Sequence, residues 1–308
     1  MRQKYLYIIL ATILFSTMEI ALKMAGAQYN PHQLNFLRFF IGGLILLPLA
    51  LKNIKAKKLS LNSSDVKFFL LQGFICVVIS MSCFQLAVNS GKASTVAVLF
   101  SSNPVFLILF AYFILKEEIY HHHLLTLTLS LIGIIFIMNP FQMASSKLGV
   151  ILTLISAISF AFYGIISKTK KDRYGGITHT CLSFLFGSLE LFILIELTHL
   201  KPIANWLNSL GLTDLVRVPI ITGIHLSSLP ALIYISIFVT GLGYTFYFLA
   251  IEQSSAATAS LVFYLKPALA PVLALTILKE AIVPTTIIGI ILLVSGSAVT
   301  FIAQKQQS

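Results

Sequence analysis

Residues 86–119 read LAVNSGKASTVAVLFSSNPVFLILFAYFILKEEI, and residues 249–282 read LAIEQSSAATASLVFYLKPALAPVLALTILKEAI. The two stretches align without a gap at an offset of 163 residues, and each has a proline in its apolar run, Pro104 or Pro267. Both also contain the block ILKE. A gapless match that runs through a shared proline to the same four residues indicates an internal duplication.

The parts of the chain before these stretches also match each other, at an offset of 145 residues. The matched pairs are Phe15 with Phe160, Lys23 with Lys168, Phe39 with Phe184, and Gly42 with Gly187. The offset grows from 145 to 163 because 18 residues are inserted near 199–227. The sequence therefore predicts a first five-helix repeat over 1–140 and a second over 141–308, with an extra external segment near 199–227.

The composition excludes an ordinary soluble domain. The chain has 308 residues, a mean hydropathy of +0.94, 57% hydrophobic residues and only 10% charged residues, whereas soluble domains carry about 25% charged residues. The net charge of +11 comes largely from lysines in short loops between apolar runs. We therefore expect a lipid bilayer around the protein and no nucleic-acid partner.

The apolar runs have the length of membrane-spanning helices, which need about 20 residues. Ten runs are candidates: 5–25, 33–51, 67–90, 93–115, 123–139, 147–168, 177–198, 228–250, 253–278 and 282–303. Most spacers are short, so neighbouring helices are expected to form antiparallel hairpins. The expected fold class is an all-α membrane protein with ten transmembrane helices.

Lysine and arginine residues are distributed unequally between the loops. With the N-terminus in the cytoplasm, thirteen of them fall on the cytoplasmic side and six outside, as the positive-inside rule requires. We therefore expect a multi-pass protein of the cytoplasmic membrane with both termini in the cytoplasm. Since each half has an odd number of spans, the second repeat is expected to be inverted relative to the first.

Inverted repeats are a recurrent plan of secondary transporters, whose substrate site lies near the bilayer midplane between the repeats. The sequence thus predicts a permease that moves a small organic metabolite by alternating access. No nucleotide-binding motif is visible, so a solute gradient, a coupled proton or a counter-solute would supply the energy. Two alternatives remain open, a membrane scaffold without transport activity and a membrane-embedded enzyme.

The sequence shows no recognisable set of catalytic residues and no metal-ligand spacing, which argues against an enzyme. We therefore expect no catalytic residue, no cofactor and no bound metal. The run His121-His122-His123 is interpreted as a hydrated interfacial loop, in preference to a metal site or a proton sensor.

The repeated motif resembles the EamA-type permeases of the drug/metabolite transporter superfamily. The resemblance covers essentially the whole chain and rests on two small-residue stretches, each running through a proline to a Lys-Glu pair. It implies two five-helix repeats around a central cavity that is lined by the first, third, fourth, sixth, eighth and ninth helices. It is uninformative about the substrate, because related permeases are associated with amino acids, other metabolites and drugs. This sequence departs from the family pattern at Lys266, where many relatives have an acidic or neutral residue.

Glu19 and Lys266 are the strongest candidates for substrate binding, because ionisable side chains within the membrane are costly. Glu19 lies in the first span and Lys266 in the ninth, and the resemblance implies that both helices line the cavity. A carboxylate and an ammonium group there can bind the two ends of a zwitterion such as an amino acid. They can equally pair with each other as a packing device. Glu19 is also the first candidate for carrying a coupled proton.

Four further polar residues are candidates for substrate binding. Asn103 is the repeat equivalent of Lys266, so a polar side chain precedes each of the two prolines. Tyr163, Tyr244 and Tyr264 each carry into the membrane a hydroxyl group that needs a partner. Tyr264 and Lys266 are about 200° apart around a regular helix, so they cannot both face one cavity.

Arg38 and Glu190 are charged as well, and both lie inside predicted spans. Arg38 is close to the outer end of the second span, so its side chain can reach the interface, and we interpret it as structural. Glu190 in the seventh span either pairs with a neighbour or faces a small aqueous pocket.

Overall fold

The computed structural model describes residues 2–116, 121–138, 146–253 and 261–307, and the regular elements in these ranges are all helical. The first half contains α1 (Arg2–Ser16), α2 (Met18–Gly26), α3 (Pro31–Ala56), α4 (Ser63–Gly73), α5 (Ser82–Ser90), α6 (Ala93–Phe100), α7 (Asn103–Leu115) and α8 (His121–Met138). The second contains α9 (Lys147–Lys168), α10 (Lys171–Tyr174), α11 (Gly176–Leu197), α12 (Lys201–Ser209), α13 (Leu229–Ile233), α14 (Tyr244–Gln253), α15 (Leu261–Ile277) and α16 (Pro284–Gln307). The predicted all-α class is confirmed.

Within the described ranges, seven helical segments are long and apolar enough to cross a membrane. They are Tyr5–Gly26, Pro31–Ala56, Ser63–Ser90, Ala93–Leu115, Lys147–Lys168, Gly176–Leu197 and Leu229–Tyr247. The described parts of the other three predicted spans are helical as well, in α8, α15 and α16. Large apolar side chains such as Phe113, Leu131 and Ile291 are more than half exposed on the outside of the bundle. Such a surface is suited to lipid rather than water.

Two segments, Phe74–Met81 and Tyr234–Gly243, are wound as π-helical turns within longer helices. The first joins α4 to α5, and the second joins α13 to α14. The two segments overlap when the chain is compared with itself at the offset of 163 residues. π-helical turns are rare and frequently occur at functional sites.

Glycines allow neighbouring helices to approach these π-helical segments closely. A Cβ atom on Gly42 of α3 would lie 2.8 Å from Thr240, and one on Gly187 of α11 would lie 2.7 Å from Val77. Gly42 and Gly187 are 145 residues apart, whereas Val77 and Thr240 are 163 residues apart. Both contacts therefore join residues that are matched by the two repeat offsets.

The two prolines of the repeat differ in their local structure. Pro104 lies in the first turn of α7, after a helix break at 101–102, where its missing N–H group interrupts no helical hydrogen bond. Pro267 lies inside the continuous helix α15. The ILKE blocks are more alike, because Lys116 and Lys279 both adopt the left-handed conformation, with φ of 57° and 58°.

The inserted segment near 199–227 covers the N-terminal end of α3. The Gln33 side-chain amide donates hydrogen bonds to the carbonyls of Ile220 and Thr222, at 3.1 and 3.0 Å. The segment begins with the amphipathic helix α12, in which Leu207 is buried and Trp206 is 61% exposed. We call this end of the bundle the α12 end.

At the opposite end of α3, the short helix α10 is fixed to the start of α4. Arg173 Nη2 donates a hydrogen bond to Asp65 Oδ2 at 2.6 Å, and the Tyr174 hydroxyl donates one to Asp65 Oδ1. Burial and the hydrogen bond to Asp65 raise the pKa of Tyr174 to about 12. Tyr174 is therefore protonated at neutral pH and remains a hydrogen-bond donor.

Candidate functional site

A buried ion pair joins the two residues that the sequence singles out most strongly. Lys266 Nζ lies 2.5 Å from Glu19 Oε1, and each side chain is only 1% exposed. Glu19 lies just after the break between α1 and α2, and α15, which carries Lys266, packs against both helices. Glu19 Oε2 is buried without a hydrogen-bond partner among the described residues. Within those residues, the pair is thus incompletely satisfied.

A small aromatic cavity adjoins the ion pair. Its volume is about 10 Å³, and its lining residues are Phe15, Met18, Phe100, Phe160, Tyr244, Tyr247, Phe263 and Lys266. A cavity of this size holds at most about one water molecule. An organic solute can therefore enter only if the surrounding helices move apart.

Four of the lining phenylalanines form two repeat-equivalent pairs. Phe15 and Phe160 are related by the offset of 145 residues, and Phe100 and Phe263 by the offset of 163. The ion pair does not follow this symmetry, because the equivalents of Glu19 and Lys266 are Gly164 and Asn103. The cavity thus combines a duplicated aromatic wall with an ion pair that has no equivalent in the other repeat.

The ammonium group of Lys266 also contacts aromatic rings. Its Nζ lies 5.3 Å from the ring centroid of Phe100 and 5.9 Å from that of Phe84. A cation within about 6 Å of a ring face is attracted by its negative charge density. The cation is therefore held by Glu19 on α2 and by the rings of α5 and α6.

Arg38 is fully buried, so the expectation that it reaches the interface is wrong. Its Nε and Nη2 donate hydrogen bonds to Asn35 Oδ1 at 3.2 and 3.1 Å, and its guanidinium group lies 4.5 Å from the ring centroid of Phe39. Asn35 is fixed in turn by donating to the carbonyl of Val77 at 3.0 Å. These contacts direct the side chain into the bundle.

The other predicted binding residues have different surroundings. Tyr244 lines the cavity, whereas the Asn103 amide donates a hydrogen bond to the carbonyl of Ala157 at 2.8 Å. The Tyr163 hydroxyl is buried 3.5 Å from His179 Nδ1, and the Tyr163 ring lies 5.7 Å from that of the lining residue Phe160. The side chain of Tyr264 lies outside the described residues.

Two further expectations concern Glu190 and the histidine run. Glu190 is half-buried, and its Oε2 has no hydrogen-bond partner among the described residues. The backbone of His121-His122-His123 is helical and begins α8, so the interpretation of this run as a loop is wrong. The side chains of these histidines lie outside the described residues.

Two charged side chains bind helix ends at the α12 end of the bundle. Lys23 Nζ donates hydrogen bonds to the carbonyls of Val88 and Gly91 at 2.9 and 2.6 Å, at the C-terminal end of α5. The Glu280 carboxylate accepts three hydrogen bonds at the N-terminal end of α6, from the backbone amides of Ala93 and Ser94 and from the Ser94 hydroxyl. Both charges have the sign that the helix dipole favours.

Sequence patterns alone did not single out the aromatic wall or the burial of Arg38. A usable signal existed for the wall, because Phe15/Phe160 and Phe100/Phe263 are identities of the internal repeat. For Arg38 no such signal existed, since its distance from the span end fits both burial and snorkelling.

Comparison with known proteins identifies the family. The model of the EamA-like transporter family matches residues 2–139 and 147–302. An uncharacterized transporter of Clostridium kluyveri is 40% identical over 314 residues, which cover 99% of this chain and 95% of the relative. The uncharacterized transporter YoaV of Bacillus subtilis is 23% identical over 94% of this chain and 93% of its own length.

A more distant relative has a named substrate. The S-adenosylmethionine uptake transporter of Rickettsia prowazekii is 23% identical over 62% of each chain. A crystal structure with 16% sequence identity shares the fold, with a TM-score of 0.66 over 99% of both chains. The family and the curated relatives are named as transporters, and an EamA-like permease is what the repeated motif predicts. This chain belongs to the EamA-like transporter family.

Proposed function

We propose that this protein is a secondary transporter of the cytoplasmic membrane that carries a small zwitterionic metabolite, such as an amino acid, by alternating access. The observation that carries the proposal is the buried Glu19–Lys266 pair beside a closed aromatic cavity. A buried ion pair is weak support for stability, because desolvation of both charges opposes their attraction. The presence of such a pair inside a membrane protein therefore favours a functional role.

A zwitterion can replace each partner of the pair. Its carboxylate would bind Lys266 while its ammonium group would bind Glu19, so neither buried charge loses its counter-ion when the pair opens. Tyr244 lines the same cavity and can add a hydrogen bond. Asn103, Tyr163 and Tyr264 are further candidates, which would contact the solute in a more open conformation.

The architecture belongs to the same proposal: ten spans form two inverted five-helix repeats around a central cavity. Support comes from the matched packing of Gly42 on Thr240 and of Gly187 on Val77. The paired phenylalanines of the cavity wall add to it. A site on the axis between inverted repeats can be reached equally from either side of the membrane when one repeat moves against the other.

Alternating access requires a closure at each end of the bundle. The contacts of Lys23 and Glu280 are suited to close the α12 end, which we propose is the outer end. The repeat offsets relate these two residues to Lys168 and Glu117. Glu117 lies outside the described residues, and we propose that these two residues serve the inner end.

The direct test of the proposed function is solute uptake by the purified protein in proteoliposomes. We would supply a pooled mixture of labelled amino acids, S-adenosylmethionine and other metabolites, and expect saturable accumulation of a zwitterion. Empty liposomes and liposomes with the Lys266→Ala variant are the controls. Absence of protein-dependent movement of every component would contradict a transport function.

The proposed topology predicts which loops react from outside the cell. In a variant without Cys76, Cys83 and Cys181, we would introduce single cysteines by Thr169→Cys and Ser209→Cys at exposed positions. The positive-inside distribution predicts that position 209 reacts with a membrane-impermeant thiol reagent in intact cells and that position 169 reacts only after lysis. The reverse labelling pattern would rule out this orientation.

The proposed coupling predicts a selective defect in Glu19→Gln. If Glu19 carries the coupled proton, the amide cannot, so net uptake should lose its dependence on the pH gradient. Counterflow exchange needs no net proton movement and should persist at a reduced rate, because the amide oxygen of glutamine can still accept a hydrogen bond from the ammonium group of the solute. Both activities would be measured in the same proteoliposomes, with exposed Glu196→Gln as the matched control.

Two results of this experiment would contradict a proton-carrying role. Loss of uptake and exchange together at every pH would assign Glu19 to binding of the solute ammonium group alone. Wild-type values of both activities would exclude Glu19 from the site.

A further inference from the structure

The buried charges around the cavity do not balance among the described residues. Glu19 contributes one negative charge, whereas Lys266 and Arg38 contribute two positive charges. All three side chains are at most 1% exposed, and Glu19 lies within electrostatic range of both cations. A buried charge without a counter-ion is costly, so an excess of one cation favours an anionic occupant.

Of the two buried cations, Arg38 is the one for which the described residues supply no carboxylate partner. The described residues place no carboxylate oxygen within 4 Å of its guanidinium group, while Lys266 is paired with Glu19. Its hydrogen bonds go to the neutral amide of Asn35. Glu190, on the neighbouring helix α11, is half-buried, and in the described part of the chain it forms no ion pair within 4 Å either.

An aromatic chain connects Arg38 to the cavity. The guanidinium group lies against Phe39, whose ring centroid is 4.7 Å from that of Phe184. Phe184 is in turn 5.0 Å from Tyr244, which lines the cavity. Movement of α14 away from α3 and α11 would therefore extend the cavity past Tyr244 and Phe184 toward Arg38.

We infer that Arg38 is a specificity-determining residue that selects a zwitterion with a second acidic group, so that the solute carries one net negative charge. Its α-carboxylate would bind Lys266, its ammonium group Glu19, and its additional carboxylate or phosphate group Arg38. The bound site is then electrically neutral for a carboxylate or a singly ionised phosphate group, because each of these contributes one negative charge. The inference rests on the proposed function and adds the charge of the substrate to it.

The test uses pairs of probes that differ mainly in the second acidic group. The pairs are L-glutamate with L-glutamine and O-phospho-L-serine with L-serine. Each probe competes with the labelled zwitterion of the uptake test, and its inhibition of counterflow transport is measured. The proteins compared are the wild type, Arg38→Gln, Arg38→Lys and the matched exposed control Arg217→Gln. We expect wild-type protein and Arg217→Gln to favour at least one acidic probe by about tenfold or more, the effect of one hydrogen bond to a charged group. The pair that shows the preference distinguishes a carboxylate from a phosphate.

We expect Arg38→Gln to bring this preference to about one and Arg38→Lys to retain most of it, with both variants monodisperse in detergent. Equal inhibition of the wild type by acidic and neutral probes would overturn the inference while leaving zwitterion transport intact. An unchanged preference in folded Arg38→Gln would also overturn it. If neither Arg38 variant folds, the inference stands or falls on whether the wild-type protein prefers acidic to neutral probes. Transport without inhibition by any of the four probes would overturn both the inference and the proposed zwitterion substrate.

Discussion

Replacement of Lys266 with alanine is expected to abolish transport while the protein still folds. The variant loses the proposed binding partner of the solute carboxylate. One hydrogen bond to a charged group contributes about 1.5–3 kcal/mol, so its loss weakens binding about 10- to 150-fold. It also leaves Glu19 buried without its cation, although this carboxyl group can take up a proton and become neutral. Transport in proteoliposomes and monodispersity in detergent would be measured together.

The double variant Glu19→Gln/Lys266→Met separates binding from stability. Removal of one partner of a buried ion pair costs about 3–5 kcal/mol, whereas replacement of both by uncharged residues is often neutral. We therefore expect the melting temperature to fall in Lys266→Ala and to recover in the double variant, with transport absent from both. Lys201→Ala, at an exposed position, should behave as wild type. Full transport by Lys266→Ala would show that the lysine serves packing alone.

Removal of the Glu280 carboxylate is expected to open the α12 end of the bundle. Glu280→Ala loses three hydrogen bonds to the start of α6. A net loss of only about 1.4 kcal/mol shifts a two-state equilibrium about tenfold. A single cysteine at Met18, which lines the cavity, should then react about ten times faster with a membrane-impermeant thiol reagent applied to intact cells.

The specificity of this result depends on two comparisons. Glu196→Ala removes an exposed carboxylate elsewhere and should leave the reaction rate unchanged. Glu117→Ala removes the repeat-equivalent residue and should slow the reaction from outside, because it favours opening at the other end. Equal reaction rates in the wild type and in Glu280→Ala would exclude Glu280 from the closure of the α12 end.

Part of the candidate site could be predicted without the fold. Glu19 and Lys266 stand out because a charge within an apolar span has a large desolvation cost wherever the helix packs. Their contact with each other could not be predicted, because 247 residues separate them in the chain and either could have faced water or a different partner. The hydrogen bond of Asn103 to the carbonyl of Ala157 could not be predicted either, because the two residues lie on different helices.

The sequence by itself determined the helical class of this protein, and it predicted the spans and an internal duplication. These features follow from local properties, since a bilayer requires about 20 apolar residues per span and a repeat is visible as residue identity. Only the tertiary structure decided that Glu19 pairs with Lys266 and that the cavity is closed. It also buried Arg38, whose side chain is long enough to reach the interface, because Asn35 and Phe39 hold it inside the bundle. Such contacts depend on how distant helices pack, and a local pattern does not encode that packing.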